Sequence, residues 1–237
     1  MNKQVSIALS MHQIREFEDY CINTLGVPAI VLMENAGKNA SQMIFAMCQG
    51  EPIRVAIIAG GGNNAGDGFV IARHLGLMGI RATTFLVADE TKITGDALTN
   101  LNILRKQGYN IKSLVDPEGL TDDVGHLCGM LENFDLIVDA IGGIGITGAL
   151  RFNAALAVDQ LNQASAKFET PVIAIDIPTG LDCDNGDAVG PVVVASMTIS
   201  MVASKSGFVN PNAVKFTGEV AIADIGIDPT EFLQSVK

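Results

Sequence analysis

The sequence predicts a doubly wound α/β domain: a mostly parallel sheet with helices on both faces, preceded by a pair of helices. Three observations carry that prediction. From residue 53 onward, short apolar runs alternate with segments of helical periodicity, the order that builds βαβ units. Most of the runs are apolar throughout rather than alternating, as strands covered on both faces are. Glycine-rich loops follow the runs that end near residues 59 and 141, where such a sheet opens its binding crevice.

The elements can be justified in order. Ser10 and Gln13 form an S-x-x-Q capping box, and Ile14, Phe17, Cys21 and Leu25 follow at helical spacing. Gly26 stops that helix. Pro28 suits the first turn of a second one, running through Leu32, Ala36, Ala40, Met43 and Met47 to Gly50. The apolar runs are Ile53–Ala59, Ala82–Val87, a weaker Ile111–Val115, Asp135–Ile141, Val172–Ile177, Val192–Val202 and Glu219–Asp224. Helix-like segments lie near 67–78, 95–107, 121–132 and 151–166. No helix separates the last two runs. There Met197, Ile199 and Met201 alternate with Thr198 and Ser200, which predicts a strand with a polar face extending one edge of the sheet. No repeat or linker is visible, so residues 1–237 read as one domain: a helical extension over 1–50 and an α/β core over 51–237.

Composition narrows the function classes. With 48% hydrophobic and 17% charged residues, the 237-residue chain can bury a sizeable core, which excludes global disorder. A net charge of −11 argues against nucleic-acid binding, which wants a basic face. It leaves an anionic small ligand open, because helix N-termini and backbone N–H groups hold anions without net positive charge. Cys21, Cys48, Cys128 and Cys183 are scattered, so reduced thiols in a cytoplasmic protein are expected rather than a zinc knuckle or a disulfide framework. His12, His74 and His126 are scattered too, and His74 reads as surface or structural. The longest uncharged stretch, Ala188–Ser204, is polar in places and shorter than the ~20 apolar residues of a membrane span. No membrane partner is expected.

Three strand-end loops carry the chemistry. The first, Ala59–Gly68, satisfies G-x-G-x-x-A at Gly60, Gly62 and Ala65 and contains the Asn63-Asn64 pair. Asp67 reads either as an N-cap in the first turn of the next helix or as a site residue. As a first-turn carboxylate it would repel phosphate. The second loop, Asp139–Ala149, holds a full G-x-G-x-x-G at Gly143, Gly145 and Gly148 and is followed by Arg151, which suits an anion better. Asp139 reads as a turn cap or as a site carboxylate at a strand tip. In the third loop, Ile175–Asp182, Asp176 interrupts an apolar run, so partial burial is expected to raise its pKa toward that of a proton shuttle. A buried Asp bonded to loop N–H groups is the alternative. Asn64, Asp139 and Thr179 offer oxygen ligands from neighbouring strand ends, which suits a hard cation.

At these loops the sequence resembles the YjeF N-terminal domain family, the NAD(P)H-hydrate epimerases. The residues that carry the resemblance are Met33-Glu34-Asn35-Ala36-Gly37, Gly62–Gly68 with Ala72-Arg73-His74-Leu75, Asp139-Ala140-Ile141 with Gly143 and Gly145, Ile175–Asp182, and Ala223–Ile227. The resemblance implies a Rossmann-like three-layer αβα sandwich that forms a homodimer. It implies NADHX or NADPHX as substrate, the reduced cofactor hydrated at C6 of the nicotinamide ring. It implies interconversion of the R and S epimers, coupled in function to an NAD(P)H-hydrate dehydratase. Implied substrate contacts are Asn63, Asn64, Ala65, Gly66 and Asp67, the loop Gly143, Ile144, Gly145, Ile146, Thr147, Gly148 and Ala149, and Asp176. One potassium ion per subunit is implied at Asn64, Asp139 and Thr179.

The chain departs from the family pattern at Gly61, Ala65, Gly142, Ile144 and Thr179. Thr179 keeps the hydroxyl of the more usual Ser. Lys205 matches a family lysine and receives no role. C6 of the hydrate bears both nitrogen and hydroxyl, so its stereocentre is lost by ring opening or by departure of the hydroxyl. Either route needs a proton shuttle, for which Asp176 is the candidate with Asp67 assisting. Two other classes stay in view: a non-catalytic nucleotide- or protein-binding module on the same fold, and an NAD-dependent dehydrogenase. The helix pair is expected to bury its outer apolar face in a dimer.

Overall fold

The computed structural model describes residues 7–49, 51, 53–116 and 123–235. Its elements run β1 (Ala8–Leu9), α1 (Met11–Asp19), α2 (Ala29–Met47), β2 (Arg54–Ala59), α3 (Asn63–Leu77), β3 (Arg81–Leu86), α4 (Gly95–Lys106) and β4 (Asn110–Ser113). There follow α5 (Leu127–Met130), β5 (Leu136–Ala140), α6 (Phe152–Phe168), β6 (Val172–Ile175), β7 (Met197–Met201), β8 (Ser204–Lys205), α7 (Val214–Thr217), β9 (Glu219–Ala223) and α8 (Thr230–Ser235).

Seven strands form one sheet in the order β4-β3-β2-β5-β6-β7-β9, and every pairing in it is parallel. The chain leaves β2 outward through β3 and β4, then returns to β5 on the other side of β2. The crevice between β2 and β5 is therefore the switch point where a doubly wound sheet takes its ligand. The sheet has a core on each face. Val55, Ile57 and Ala59 of β2 face one with Phe69, Leu75 and Leu101, while Ala56 and Ile58 face the other with Val158 and Leu161. This two-sided burial is why the strands read as unbroken apolar runs.

The capping box forms as read, with the Gln13 N–H donating to Ser10 Oγ (3.2 Å) and the Ser10 N–H to Gln13 Oε1 (3.0 Å). The first helix does not continue to Gly26 as an α-helix. Residues Tyr20–Thr24 form a π-turn, with the Leu25 N–H bonded to the Tyr20 carbonyl. The second helix ends at Met47, and Gly50 lies outside the described residues. A separate parallel pair, β1 with β8, sets Leu9 opposite Lys205 and fastens the N-terminal segment over the strand ends.

Four expectations need correction. The third helix begins at Asn63 with Gly62 as its N-cap, so Asp67 is neither an N-cap nor a first-turn residue. The run Val192–Val202 is a strand only over Met197–Met201. Ahead of it, Val193 and Ala195 send their N–H groups to the Thr179 carbonyl in a loop and the Phe216 carbonyl in α7 rather than to a strand ladder. Thr198 and Ser200 show no polar face to water. Both are fully buried, their hydroxyls donating to the Thr217 and Ala203 carbonyls at 2.8 Å each, so local acceptors replace solvent. The segment 121–132 is a 3-10 turn at Asp123–His126 and the short α5, and residues 121 and 122 lie outside the described residues.

Candidate functional site

The loops after β2, β5 and β6 meet at the switch point. Gly60 is where two of them touch: its N–H bonds the Ala140 carbonyl (3.1 Å), and a Cβ there would lie 2.1 Å from the Ile141 carbonyl oxygen. Only glycine allows that approach. Over the meeting point lies a cavity of about 520 Å³, within the range of small-molecule sites.

Its walls come from seven parts of the chain. The N-terminus of α3 supplies Gly62, Asn63, Asn64 and Asp67, and the loop after β5 supplies residues 141–146. Asp176 enters from the end of β6, and Met201 and Val202 from the end of β7. Asp96 of α4 and Ile225 after β9 also line it, and the helical extension supplies the rest. Ile14, Arg15, Glu18 and Ile22 of α1 and its π-turn, and Leu32, Met33 and Ala36 of α2, all face the cavity. The two helices read as an appendage in the sequence are thus part of the site.

Three carboxyls and one amine set its electrostatics. Lys205 is wholly buried. Its Nζ stands 2.5 Å from Asp176 Oδ1 and donates to the Met201 carbonyl at 3.0 Å. Asp176 sits in the left-handed region (φ 69°), a conformation that costs a non-glycine residue energy and collects at functional sites. Its other carboxylate oxygen lies toward Gly143, 3.3 Å from where a Cβ would stand there. Burial pushes the Asp67 carboxyl well above the usual carboxylate range. The charges of Asp176 and Glu18 add to this and that of Lys205 opposes it. Burial also raises Glu18, with Asp176 adding, and with Lys205 and Arg15 opposing.

A second polar centre lies beneath the loops. Asp139 is fully buried; its Oδ1 accepts from Thr179 Oγ1 (2.7 Å) and the Ile141 N–H (3.1 Å), and its Oδ2 from the Thr179 N–H (2.9 Å). Burial raises its pKa from 3.8 to about 6, against the lowering effect of these bonds. The Asn64 amide nitrogen donates to the Gly142 carbonyl (2.9 Å), whereas its buried Oδ1 has no hydrogen-bond partner. The structure therefore brings Asn64, Asp139 and Thr179 together, as expected from sequence.

Other predicted residues divide. Asn63, Asn64, Asp67, Gly143, Ile144, Gly145, Ile146 and Asp176 line the cavity. Ala65 and Gly66 are buried in α3, Gly66 against Met33 and Ala97, and they shape the wall from behind. Thr147, Gly148, Ala149 and Arg151 are exposed and outside the lining, so the first glycine loop, not the second, opens a helix at the cavity. Sequence reasoning missed Arg15, Glu18 and the pairing of Lys205. The i, i+4, i+8 spacing of Ile14, Glu18 and Ile22 was the available signal for Glu18, a charged residue set in an apolar stripe.

Residues 29–207 match the family described as YjeF-related protein N-terminus. The chain belongs to this family. Among its relatives, the NAD(P)H-hydrate epimerase of Oenococcus oeni is 35% identical over 222 residues, covering 94% of this chain and 98% of the relative. The bifunctional NAD(P)H-hydrate repair enzyme Nnr of Moorella thermoacetica is 38% identical over 204 residues, which is 85% of this chain but 37% of that enzyme. The crystal structure of yeast ynu0 has the same fold, with a TM-score of 0.75 over 94% of this chain and 24% identity.

The YjeF motifs outside the loops have structural work that positions the site. Glu34 pairs with Arg73 and with His74 (2.8 Å), tying α2 to α3. Asn35 and Asn39 donate to the Ile225 and Asp224 carbonyls (3.0 and 2.9 Å), tying α2 to the segment after β9. Gly37 lets α2 and α3 pack closely, since a Cβ there would lie 2.5 Å from Val70 Cβ. His74 is thus structural, as read.

Proposed function

We propose that this chain is an NAD(P)H-hydrate epimerase, interconverting the R and S forms of NADHX and NADPHX. The observation that carries the reading is one cavity at the sheet's switch point holding Asn63, Asn64, Asp67 and Asp176 together, in a chain akin to proteins named for that activity. The N-terminus of α3 offers its N–H groups to the anionic part of the nucleotide, and the Asn pair offers donors and acceptors to the ring carboxamide. Asp176 is the proton shuttle at C6, and Asp67 assists it.

Asn64, Asp139 and Thr179 hold a potassium ion, one per subunit. The residues fit the ion: a buried carboxylate with no cationic side chain bonded to it among the described residues, a hydroxyl, and an amide oxygen with no other partner among them. When bound, the ion supplies the positive charge that offsets Asp139 and joins the loops after β2, β5 and β6. The enzyme works as a cytoplasmic homodimer, coupled in function to a dehydratase that consumes the S form. The bifunctional repair enzymes among the relatives support that coupling. No helix among the described residues is long and apolar enough to cross a membrane.

The test is incubation of R-NADPHX with the purified protein in potassium and in sodium buffers, followed by chiral separation. Faster equilibration than in buffer alone, greater with potassium, is the expected result. Binding of the hydrate without acceleration would make the chain a binding module instead.

A further inference from the structure

The cavity is lined by more acidic side chains than a neutral reaction needs. Glu18 from α1, Asp67 from α3 and Asp176 from the end of β6 line it, with Asp96 at the wall, against Arg15 as the basic residue of the lining. All three line the same cavity, and after burial the charge of Asp176 is the next cause that raises both Asp67 and Glu18. They are not equivalent. Asp176 is the member that Lys205 pairs with, its second oxygen turned toward Gly143 on the cavity wall. Asp67 has no such pair among the described residues. Burial and the charges of Asp176 and Glu18 push its carboxyl toward the protonated form, which makes it the member placed to give a proton.

The two chemical routes across C6 differ in charge. Ring opening passes through a neutral aldehyde and an enamine, which gain little from surrounding carboxylates. Departure of the hydroxyl as water leaves a cation shared between N1 and C6. Fixed negative groups in a shielded cavity stabilise such a cation more than the neutral ground state, which is the requirement for catalysis. On the epimerase reading given above, we infer that the C6 hydroxyl leaves as water through the Asp67 carboxyl, and that Asp176 and Glu18 face the cation left on the ring.

The step balances without an oxidant or reductant. The C6–O bond breaks with its electron pair on oxygen, Asp67 gives that oxygen its proton, and the N1 lone pair forms the N1=C6 bond. Water then adds to the opposite face of C6 as the π pair returns to N1. The surplus proton passes to Asp176, and Asp67 regains a proton before the next turnover. Glu18 is a residue of this site that the sequence pattern alone did not assign.

The experiment uses the whole protein and R-NADPHX in water labelled with heavy oxygen. The epimers are separated at early times and weighed by mass spectrometry. Each newly formed S molecule is expected to carry one solvent oxygen. New S molecules that keep the original oxygen would overturn the inference, as would enzyme-accelerated formation of an oxime when hydroxylamine is present to trap the aldehyde. Absence of any accelerated epimerisation would overturn the epimerase assignment itself, an outcome distinct from unlabelled S product. Glu18→Gln is expected to slow epimerisation and label uptake together by about tenfold, with KM little changed. A variant as fast as the wild type would remove Glu18 from the cation's surroundings.

Discussion

Replacing Lys205 with methionine tests the electrostatic centre of the site. The substitution keeps the buried aliphatic stem and deletes the charge that stands 2.5 Å from Asp176 Oδ1 and the donor to the Met201 carbonyl. Asp176, 13% exposed, is left beside Asp67 and Glu18 without a counter-charge. Removing one partner of a buried ion pair costs about 3–5 kcal/mol. The residual exposure of Asp176 places this pair at the lower end, about 3 kcal/mol. The assay is urea denaturation of the wild type, Lys205→Met, Asp176→Asn and the double variant. The double variant removes both charges, so its loss should be smaller than the sum of the single losses by about 2 kcal/mol. Strictly additive losses, or a Lys205→Met protein as stable as the wild type, would refute the reasoning.

Asp139 predicts a linked pH and potassium effect. Its folded pKa is raised, so its contribution to stability is full below the ordinary value of 3.8 and is lost as pH rises through about 6. The gap corresponds to about 3 kcal/mol. Potassium should therefore raise the melting temperature at pH 8 and do little at pH 5, and Asp139→Asn should abolish the difference; equal effects at both pH values would contradict it. Asp67, raised well above the carboxylate range, must be protonated to act as an acid. Epimerisation should fall as pH rises through that value, and Asp67→Asn should lose about 10²–10⁴-fold in kcat together with that limb of the profile. A Gly37→Ala Cβ would meet Val70 Cβ at 2.5 Å and the Asp67 carbonyl oxygen at 3.0 Å. The variant should lose about 1–3 kcal/mol in denaturant and lower activity as well, because α3 carries Asn64 and Asp67; an unchanged midpoint would contradict the close packing of α2 on α3.

The strands were legible because two-sided burial writes itself as unbroken apolar runs, and the site loops because they follow those runs. Asp139, Thr179 and Asn64 could be grouped from strand-end position alone. What sequence did not reveal depended on distant partners. Thr198 and Ser200 look like a wet face until the Thr217 and Ala203 carbonyls are placed against them. Lys205 had no role until β1 and β8 paired and buried it against Asp176. The N-terminal helices look like an appendage because the spacing of Ile14, Glu18 and Ile22 marks one face of a helix but not the cavity that this face meets. Asp67 was set one turn too early in its helix, since a glycine N-cap leaves a weaker signal than Ser, Asp or Asn.

The measurement that bears most directly on the central claim starts from each pure epimer of NADPHX and follows the R/S ratio by chiral separation. Wild-type protein should bring both samples quickly to one common ratio, while Asp176→Asn should still bind the hydrate but approach that ratio at a rate near that of buffer alone. An Asp176→Asn protein that folds and equilibrates both samples as fast as the wild type would contradict the account.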